Sequence, residues 1–83
     1  MLAEHVYITA IPQGALVLDG AQGTYLQLNE IAYEILKSLG RGLAPTEIIV
    51  EIQKNYAVPE TQVAQDVANC IADFTNRGWV QIS

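Results

Sequence analysis

The sequence predicts one α+β domain over residues 1–83, with a three-stranded antiparallel sheet followed by three helices and a short terminal strand. Short strand-like patterns extend as far as Leu28, and apolar residues recur at helical spacing over 29–77. With 51% hydrophobic residues, the 83-residue chain can fill one packed core and is too short for two domains. The order β-β-β-α-α-α-β with tight connections is typical of a winged helix-turn-helix-like domain.

Three short strands are expected in the first part of the chain. Residues 6–10 place apolar side chains at every second position, which indicates a half-buried first strand. The sequence Pro-Gln-Gly at 12–14 marks a turn, and the apolar run 15–19 (ALVLD) follows as a central strand. The loop at 19–23 contains two glycines and leads into a third strand at 24–28 (TYLQL). We expect these strands to form a meander.

Three amphipathic helices are expected after the strands. Asn29 is a good N-cap for the first helix, and one of the two following glycines ends it. Pro45 suits the first position of the second helix, and Pro59 opens the third in the same way. Gly78 ends the third helix, and residues 79–82 are expected as the closing strand. The predicted buried sides, spaced by three and four, are Ile31, Ile35, Leu36 and Leu39, then Ile48, Ile49, Ile52 and Tyr56, and then Val63, Val67, Cys70, Ile71 and Phe74.

Charge and cysteine content exclude several classes of function. Nine acidic residues against four basic ones give a net charge of −5, which is unsuited to nucleic acid or anionic membranes. A single cysteine excludes an intrachain disulfide framework and suits a reducing compartment. No apolar run approaches the roughly 18–20 residues of a membrane span. We therefore expect a cytoplasmic protein that binds neither membranes nor nucleic acid.

The winged-helix outline raises one nucleic-acid alternative, because the third helix of such a domain enters the DNA major groove. That helix carries three acidic residues, Glu60, Asp66 and Asp73, and one basic residue, Arg77. A helix of negative net charge repels phosphates and gains nothing from counterion release. DNA binding is therefore the least favoured interpretation, and a salt-dependent gel shift would reveal it.

The sequence offers no catalytic or metal-binding constellation. His5, the one histidine, is expected on the first strand, and Cys70, the one cysteine, lies on the apolar side of the third helix. Neither has a second ligand or an activating base at a useful spacing. Gly20 and Gly23 lie between two strands, unlike the glycines of phosphate-binding loops. We expect a non-enzymatic protein that holds no metal or cofactor.

Two stretches of the chain resemble one known family. The first is 17–29 (VLDGAQGTYLQLN), and the second is 66–80, with its DV, F and RGWV residues. Together they resemble the PqqD-like RiPP recognition elements, which bind the leader segment of ribosomally made precursor peptides and pass the precursors to modifying enzymes. The resemblance extends from about Val17 to Val80, and its most specific part is GTYLQLN.

The residues before the first helix favour one branch of this family. Members from pyrroloquinoline quinone clusters usually carry PEG-x-V-x-LN there, whereas this chain has AQGTYLQLN at 21–29. That form is more similar to the stand-alone leader-binding proteins of lasso-peptide clusters. The resemblance therefore implies three partners, namely a precursor leader peptide, a leader peptidase and a cyclase. A precursor chaperone of the pyrroloquinoline quinone type is the alternative within the family.

The resemblance also implies where the leader binds. It would join the third strand as an added β-strand and place side chains in the groove between that strand and the third helix. The third strand contains no proline or charge that would block such an addition. The helix would supply an apolar wall and two rim carboxylates that steer a basic leader. The candidate peptide-binding residues are Thr24, Tyr25, Leu26, Gln27 and Leu28 on the strand and Asp66, Val67, Cys70, Asp73 and Phe74 on the helix.

Two alternatives remain open at this stage. The apolar residues Val63, Val67, Ile71 and Phe74 of the third helix are expected in the core more than in ligand contacts, and the two aspartates of that helix suit an ordinary solvated face. The same strand edge and groove would also serve a winged-helix module that forms a homodimer or binds another protein. A gene for a short precursor peptide beside that of this protein would favour leader binding.

Overall fold

The computed structural model describes residues 2–80 and has the predicted order of elements. The three strands are β1 (Val6–Ile11), β2 (Gly14–Asp19) and β3 (Thr24–Asn29), and the three helices are α1 (Glu30–Gly40), α2 (Pro45–Asn55) and α3 (Glu60–Asn76). The sheet is antiparallel in the order β1-β2-β3. The predicted meander and the α+β fold class are therefore confirmed. No helix within residues 2–80 is long and apolar enough to cross a membrane.

Helices α1 and α2 begin where the sequence predicts, whereas α3 begins at Glu60, one residue later than predicted, with Pro59 as its N-cap. The Asn29 side-chain oxygen accepts a hydrogen bond of 2.8 Å from the Ala32 N–H at the start of α1. At α2, the Ala44 N–H donates to the Glu47 carboxylate at 2.9 Å, and Pro45 takes the first helical position. These contacts satisfy N–H groups that a helix start leaves without an intrahelical partner.

The two faces of the sheet differ in burial. In β2, Ala15, Val17 and Asp19 are buried toward the helices, whereas Leu16 and Leu18 point outward and are exposed. Because cross-strand partners share a face, the alternation in β2 also assigns the faces of β1 and β3. We call the side covered by the helices the inner face and the opposite side the outer face.

The core lies between the inner face and the three helices. Its aromatic part is Phe74 from α3 and Trp79 from the segment that follows, whose rings stack with centroids 5.8 Å apart. The rest is aliphatic, as expected for a small domain. The buried cluster comprises Val6, Val17, Leu28, Ile35, Leu36, Leu39, Ile48, Ile52, Val63, Val67, Phe74, Trp79 and Val80.

The predicted closing strand lies only partly within the described residues. Val80 forms a single antiparallel bridge with Leu2, and the Ala3 N–H donates to the Trp79 carbonyl oxygen at 2.7 Å. Residues 81–82 of the prediction lie outside the described residues. The part that is described joins the N-terminal segment, and it does not pair with β3.

Candidate functional site

β3 lies at one edge of the sheet, and part of its backbone is open to a further strand. The Gly20 N–H donates to the His5 carbonyl oxygen at 2.8 Å, so the even-numbered residues of β2 hydrogen-bond to β1. In an antiparallel ladder, the odd-numbered residues of β2 then bond to the first, third and fifth residues of β3. The N–H and C=O groups of Tyr25 and Gln27 therefore point to the open edge. Within residues 2–80, no other strand pairs with it.

The open edge has none of the usual protection against strand addition. β3 contains no charged residue and no proline, the two most common means of blocking an edge. Tyr25 is 73% exposed, and its side chain lies on the outer face. An extended peptide can therefore pair with the main chain of Tyr25 and Gln27 without displacing a side chain from the core.

A cavity of about 240 Å³ lies beside the C-terminal end of β3, between α1 and α3. It lies where α1 packs against both β3 and α3, while β3 and α3, within the described residues, keep their Cα atoms more than 8 Å apart. The side of the cavity formed by α1 is apolar, and the side formed by α3 is mostly polar. Its lining residues are Asn29, Ile31, Ala32, Ile35, Gln62, Asp66, Asn69 and Cys70.

The structure divides the predicted helix residues into two sets. Asp66 and Cys70 line the cavity. Asp73 lies one turn further along α3, is exposed, and accepts a hydrogen bond of 3.1 Å from Nε of Arg77. Its charge is therefore already paired with a neighbour on the same helix.

Val67 and Phe74 do not form the groove wall that the sequence analysis expects of them. Each is about 1% exposed and lies in the core cluster. On β3, Leu28 is likewise buried, and Leu26 is half-buried on the inner face. The apolar stripe of α3 packs into the core cluster, so the neighbouring flank of the helix, at Gln62, Asp66, Asn69 and Cys70, faces the cavity.

The Cys70 thiol is half-buried, and its pKa is raised. Desolvation raises its pKa to about 11, and the nearby carboxylates of Asp66 and Asp73 act in the same direction. The thiolate, which is the nucleophilic form, is therefore a minor species at pH 7. Across residues 2–80, no three His, Cys, Asp or Glu side chains are grouped closely enough to hold a metal ion.

The comparison with protein families shows to which family the chain belongs. The family model described as coenzyme PQQ synthesis protein D (PqqD) matches residues 14–80. The chain belongs to the PqqD family. The resemblance predicted from the strand-to-helix junction and the Gly-Trp-Val segment is thus confirmed. No curated protein has a significantly matching sequence.

Two solved structures share the PqqD-family fold over almost the full length of both chains. "TbiB1 in Complex with the TbiA(beta) Leader Peptide" has a TM-score of 0.83 and 23% identity, covering 99% of this chain and 95% of that chain. "Lasso peptide synthetase B1 complexed with the leader peptide" has a TM-score of 0.82 and 26% identity, covering 99% of this chain and 96% of that chain.

In this PqqD-family member, α1 supplies cavity residues that the sequence analysis assigned to the core or did not consider. Ile31, Ala32 and Ile35 form the apolar side of the cavity, and Gln62 and Asn69 join Asp66 on the polar side. Gln62, Asp66 and Asn69 follow one another at spacings of four and three, so they share one helix face. That polar stripe beside the apolar stripe of α3 is the signal that could have identified them.

The buried carboxylate of Asp19 connects the β2–β3 loop to Trp79, which donates a hydrogen bond to it. Asp19 is 1% exposed, and its Oδ1 accepts hydrogen bonds from the Ala21 and Gln22 N–H groups at 3.0 and 3.1 Å. The hydrogen bond from Trp79 is the largest cause that lowers the pKa of Asp19, ahead of the loop N–H groups and the charge of His5. Asp19 thereby fixes the loop from which β3 begins.

Proposed function

We propose that this protein is a non-catalytic module that binds the leader of a ribosomally made precursor peptide. The leader adds to β3 as a fourth strand and continues into the cavity between α1 and α3. The observation that carries the proposal is the position of the cavity at the end of the one β3 edge that is open. Both solved structures named above contain a leader peptide, which supports the same role for this chain.

The main chain would supply affinity, and the cavity would supply selectivity. Pairing with the N–H and C=O groups of Tyr25 and Gln27 tolerates any leader sequence except proline at the pairing positions. Selection then falls to the apolar side of the cavity, where the half-buried Ile31 and Ala32 favour an aliphatic or aromatic leader side chain.

The acidic side of the cavity would favour a leader that carries lysine or arginine. Asp66 lines the cavity, and the whole chain has a net charge of −5. Charges of this kind mainly steer the encounter and set the register, and they add less to affinity than the buried contacts do. Asp73 contributes to the same field from outside the cavity, although Arg77 partly neutralises it.

We place the protein in lasso-peptide-type biosynthesis, where it would deliver the bound precursor to a leader peptidase and a cyclase. The name lasso peptide synthetase B1 of the relative at 26% identity supports this choice over a pyrroloquinoline quinone-type chaperone. A separate binding module raises the local concentration of one substrate at several enzymes. The protonated thiol of Cys70 is in keeping with a role without covalent chemistry.

The test is fluorescence polarisation with a labelled synthetic leader from the precursor gene adjacent to that of this protein. We expect saturable binding with a dissociation constant of about 1 μM or tighter, equivalent to about −8 kcal/mol. A scrambled leader of the same composition should not bind. Equal binding of the two peptides, or no binding of either, would refute leader recognition and leave the family membership unchanged.

A further inference from the structure

The outer face of the sheet carries a row of exposed apolar side chains. The register places Tyr7, Leu18 and Tyr25 side by side across the three strands, with exposed fractions of 59%, 46% and 73%. Leu16, 37% exposed, lies in the next outward row between Thr9 and Gln27. An exposed cluster of aromatic and aliphatic residues is typical of a protein contact surface.

This face is uncharged, although the chain as a whole is acidic. Every outward-pointing strand residue on β1, β2 and β3 is aliphatic, aromatic, glycine, threonine, glutamine or asparagine. Against a net charge of −5, such a surface selects a partner by apolar contact and not by charge. A basic peptide or an anionic surface would therefore not be its ligand.

A peptide added at β3 would extend this same face. Side chains of a strand alternate between two sides, so half of the leader side chains would lie beside Tyr25 and Gln27 on the outer face. The other half would point inward, toward the cavity and the helices. An enzyme that acts on the bound leader can therefore approach it from the outer face, because the helices lie on the inner side of the sheet, where α1 packs against β2 and β3.

We propose that the outer face, extended by the leader strand, is the docking surface for the leader peptidase. This inference rests on the proposed function and adds the surface through which the bound precursor is presented. Continuity with the leader strand is the argument for this occupant. A second exposed apolar residue, Val50 on the outside of α2, lies beside the half-buried Leu43 and is flanked by Glu47 and Glu51. It also lacks that continuity, because, within residues 2–80, α2 packs on α1 and α3 and not on the sheet.

The test compares two sets of substitutions on the protein with the precursor and leader peptidase encoded beside its gene. The double variant Tyr7→Ser/Leu18→Ser changes the outer face away from the β3 edge. Val50→Ser is the matched control, since Val50 is an exposed apolar residue on a different surface. The two readouts are the affinity for the labelled leader and the rate of precursor cleavage by the peptidase.

We expect the double variant to bind the leader within about twofold of the original protein and to slow cleavage by about tenfold or more, because interface anchors dominate binding. Val50→Ser should change neither readout. Normal leader binding with unchanged cleavage would overturn this inference alone. Failure of the unaltered protein to bind the leader would overturn the proposed function as well. A dimer of the free protein that the double variant dissociates would assign the face to a second copy and would also overturn the inference.

Discussion

The indole Nε1 of Trp79 donates a hydrogen bond of 2.9 Å to Oδ2 of Asp19, which lies 60 residues earlier in the chain. Both residues are buried, at 0% and 1% exposure. A buried carboxylate needs hydrogen-bond donors to offset its lost hydration, and Asp19 has three. The pair ties the loop before β3 to the aromatic end of the core, so it supports the strand on which the proposed site depends.

Replacing Asp19 should therefore destabilise the whole fold. In Asp19→Asn, the amide keeps the shape but loses the charge and one acceptor oxygen. We expect a lower thermal midpoint, by several degrees, because the donors lose their charged acceptor. Asp73→Asn is the control, since Asp73 is exposed and should change the free energy of unfolding by no more than about 0.5 kcal/mol. Equal midpoints for the two variants, measured by circular dichroism, would contradict the structural role of Asp19.

The same carboxylate should make stability depend on pH in the acid range. Its pKa in the folded protein is lowered from the usual 3.8, with the Trp79 hydrogen bond as the largest cause. A lowered pKa contributes stability that is present above the unfolded value and disappears as the pH falls through the folded value. Denaturant unfolding at pH 6 and pH 3 should show a larger loss for the original protein than for Asp19→Asn. Parallel losses would place the acid sensitivity elsewhere.

Gly14 should be intolerant of any side chain. It has a φ of +150°, and a Cβ there would overlap the carbonyl oxygen of Leu28 on β3. We expect Gly14→Ala to lower the free energy of unfolding by about 2 kcal/mol or more, through backbone strain and displacement of β3. Gly40→Ala is the matched control, because a Cβ at Gly40 would make only an ordinary contact with Leu2. If chemical denaturation gave equal stabilities, the close approach of Gly14, at the start of β2, to β3 would be wrong.

Proline at Gln27 should abolish leader binding and leave the fold intact. The Gln27 N–H points to the open edge, so proline removes a pairing group without breaking the β2–β3 ladder. Ala10→Pro is the matched control, since by the same register the Ala10 N–H points away from β2 at the opposite edge. We expect at least about a hundredfold loss of leader affinity, or about 2.7 kcal/mol, for Gln27→Pro only. Normal binding by this variant, in a folded state shown by circular dichroism, would exclude strand addition at β3.

Filling the cavity should weaken leader binding independently of the strand edge. Asn69 lines the cavity and is itself exposed, so Asn69→Trp can occupy the space without entering the core. Its neighbour Ala68 is exposed and does not line the cavity, which makes Ala68→Trp the control. We expect about a tenfold or larger rise in the dissociation constant for Asn69→Trp, because apolar burial of a leader side chain is lost. Unchanged polarisation titrations would place the leader side chains outside the cavity.

The order and ends of the elements could be predicted from sequence because local chemistry determines them. Asn29 caps α1 with its own side chain, and Pro45 can occupy only the start of α2. The open edge of β3 was also predictable from the meander. Which residues of β3 present their backbone to that edge was not predictable, because it depends on a hydrogen-bonding register that only the Gly20–His5 contact reveals.

The cavity was harder to predict because periodicity separates apolar from polar faces and does not identify their neighbours. Val67 and Cys70 belong to one apolar stripe of α3, yet Val67 is buried and Cys70 lines the cavity. Ile35 is buried as deeply as any core residue and still forms part of the cavity wall. Such differences arise from the gap between β3 and α3, which is a property of the packing of three elements at once.

The unprotected edge of β3 has a consequence for the behaviour of the protein in solution. An edge strand without charge or proline is a template for the edge of another copy, and such templates promote aggregation. Mutual repulsion of copies with a net charge of −5 opposes that pairing at neutral pH. Near the isoelectric point of about 4.4 this repulsion disappears, so the protein should be most prone to precipitate there. A bound peptide that occupies the edge would then keep the protein dispersed where the free form would not stay in solution.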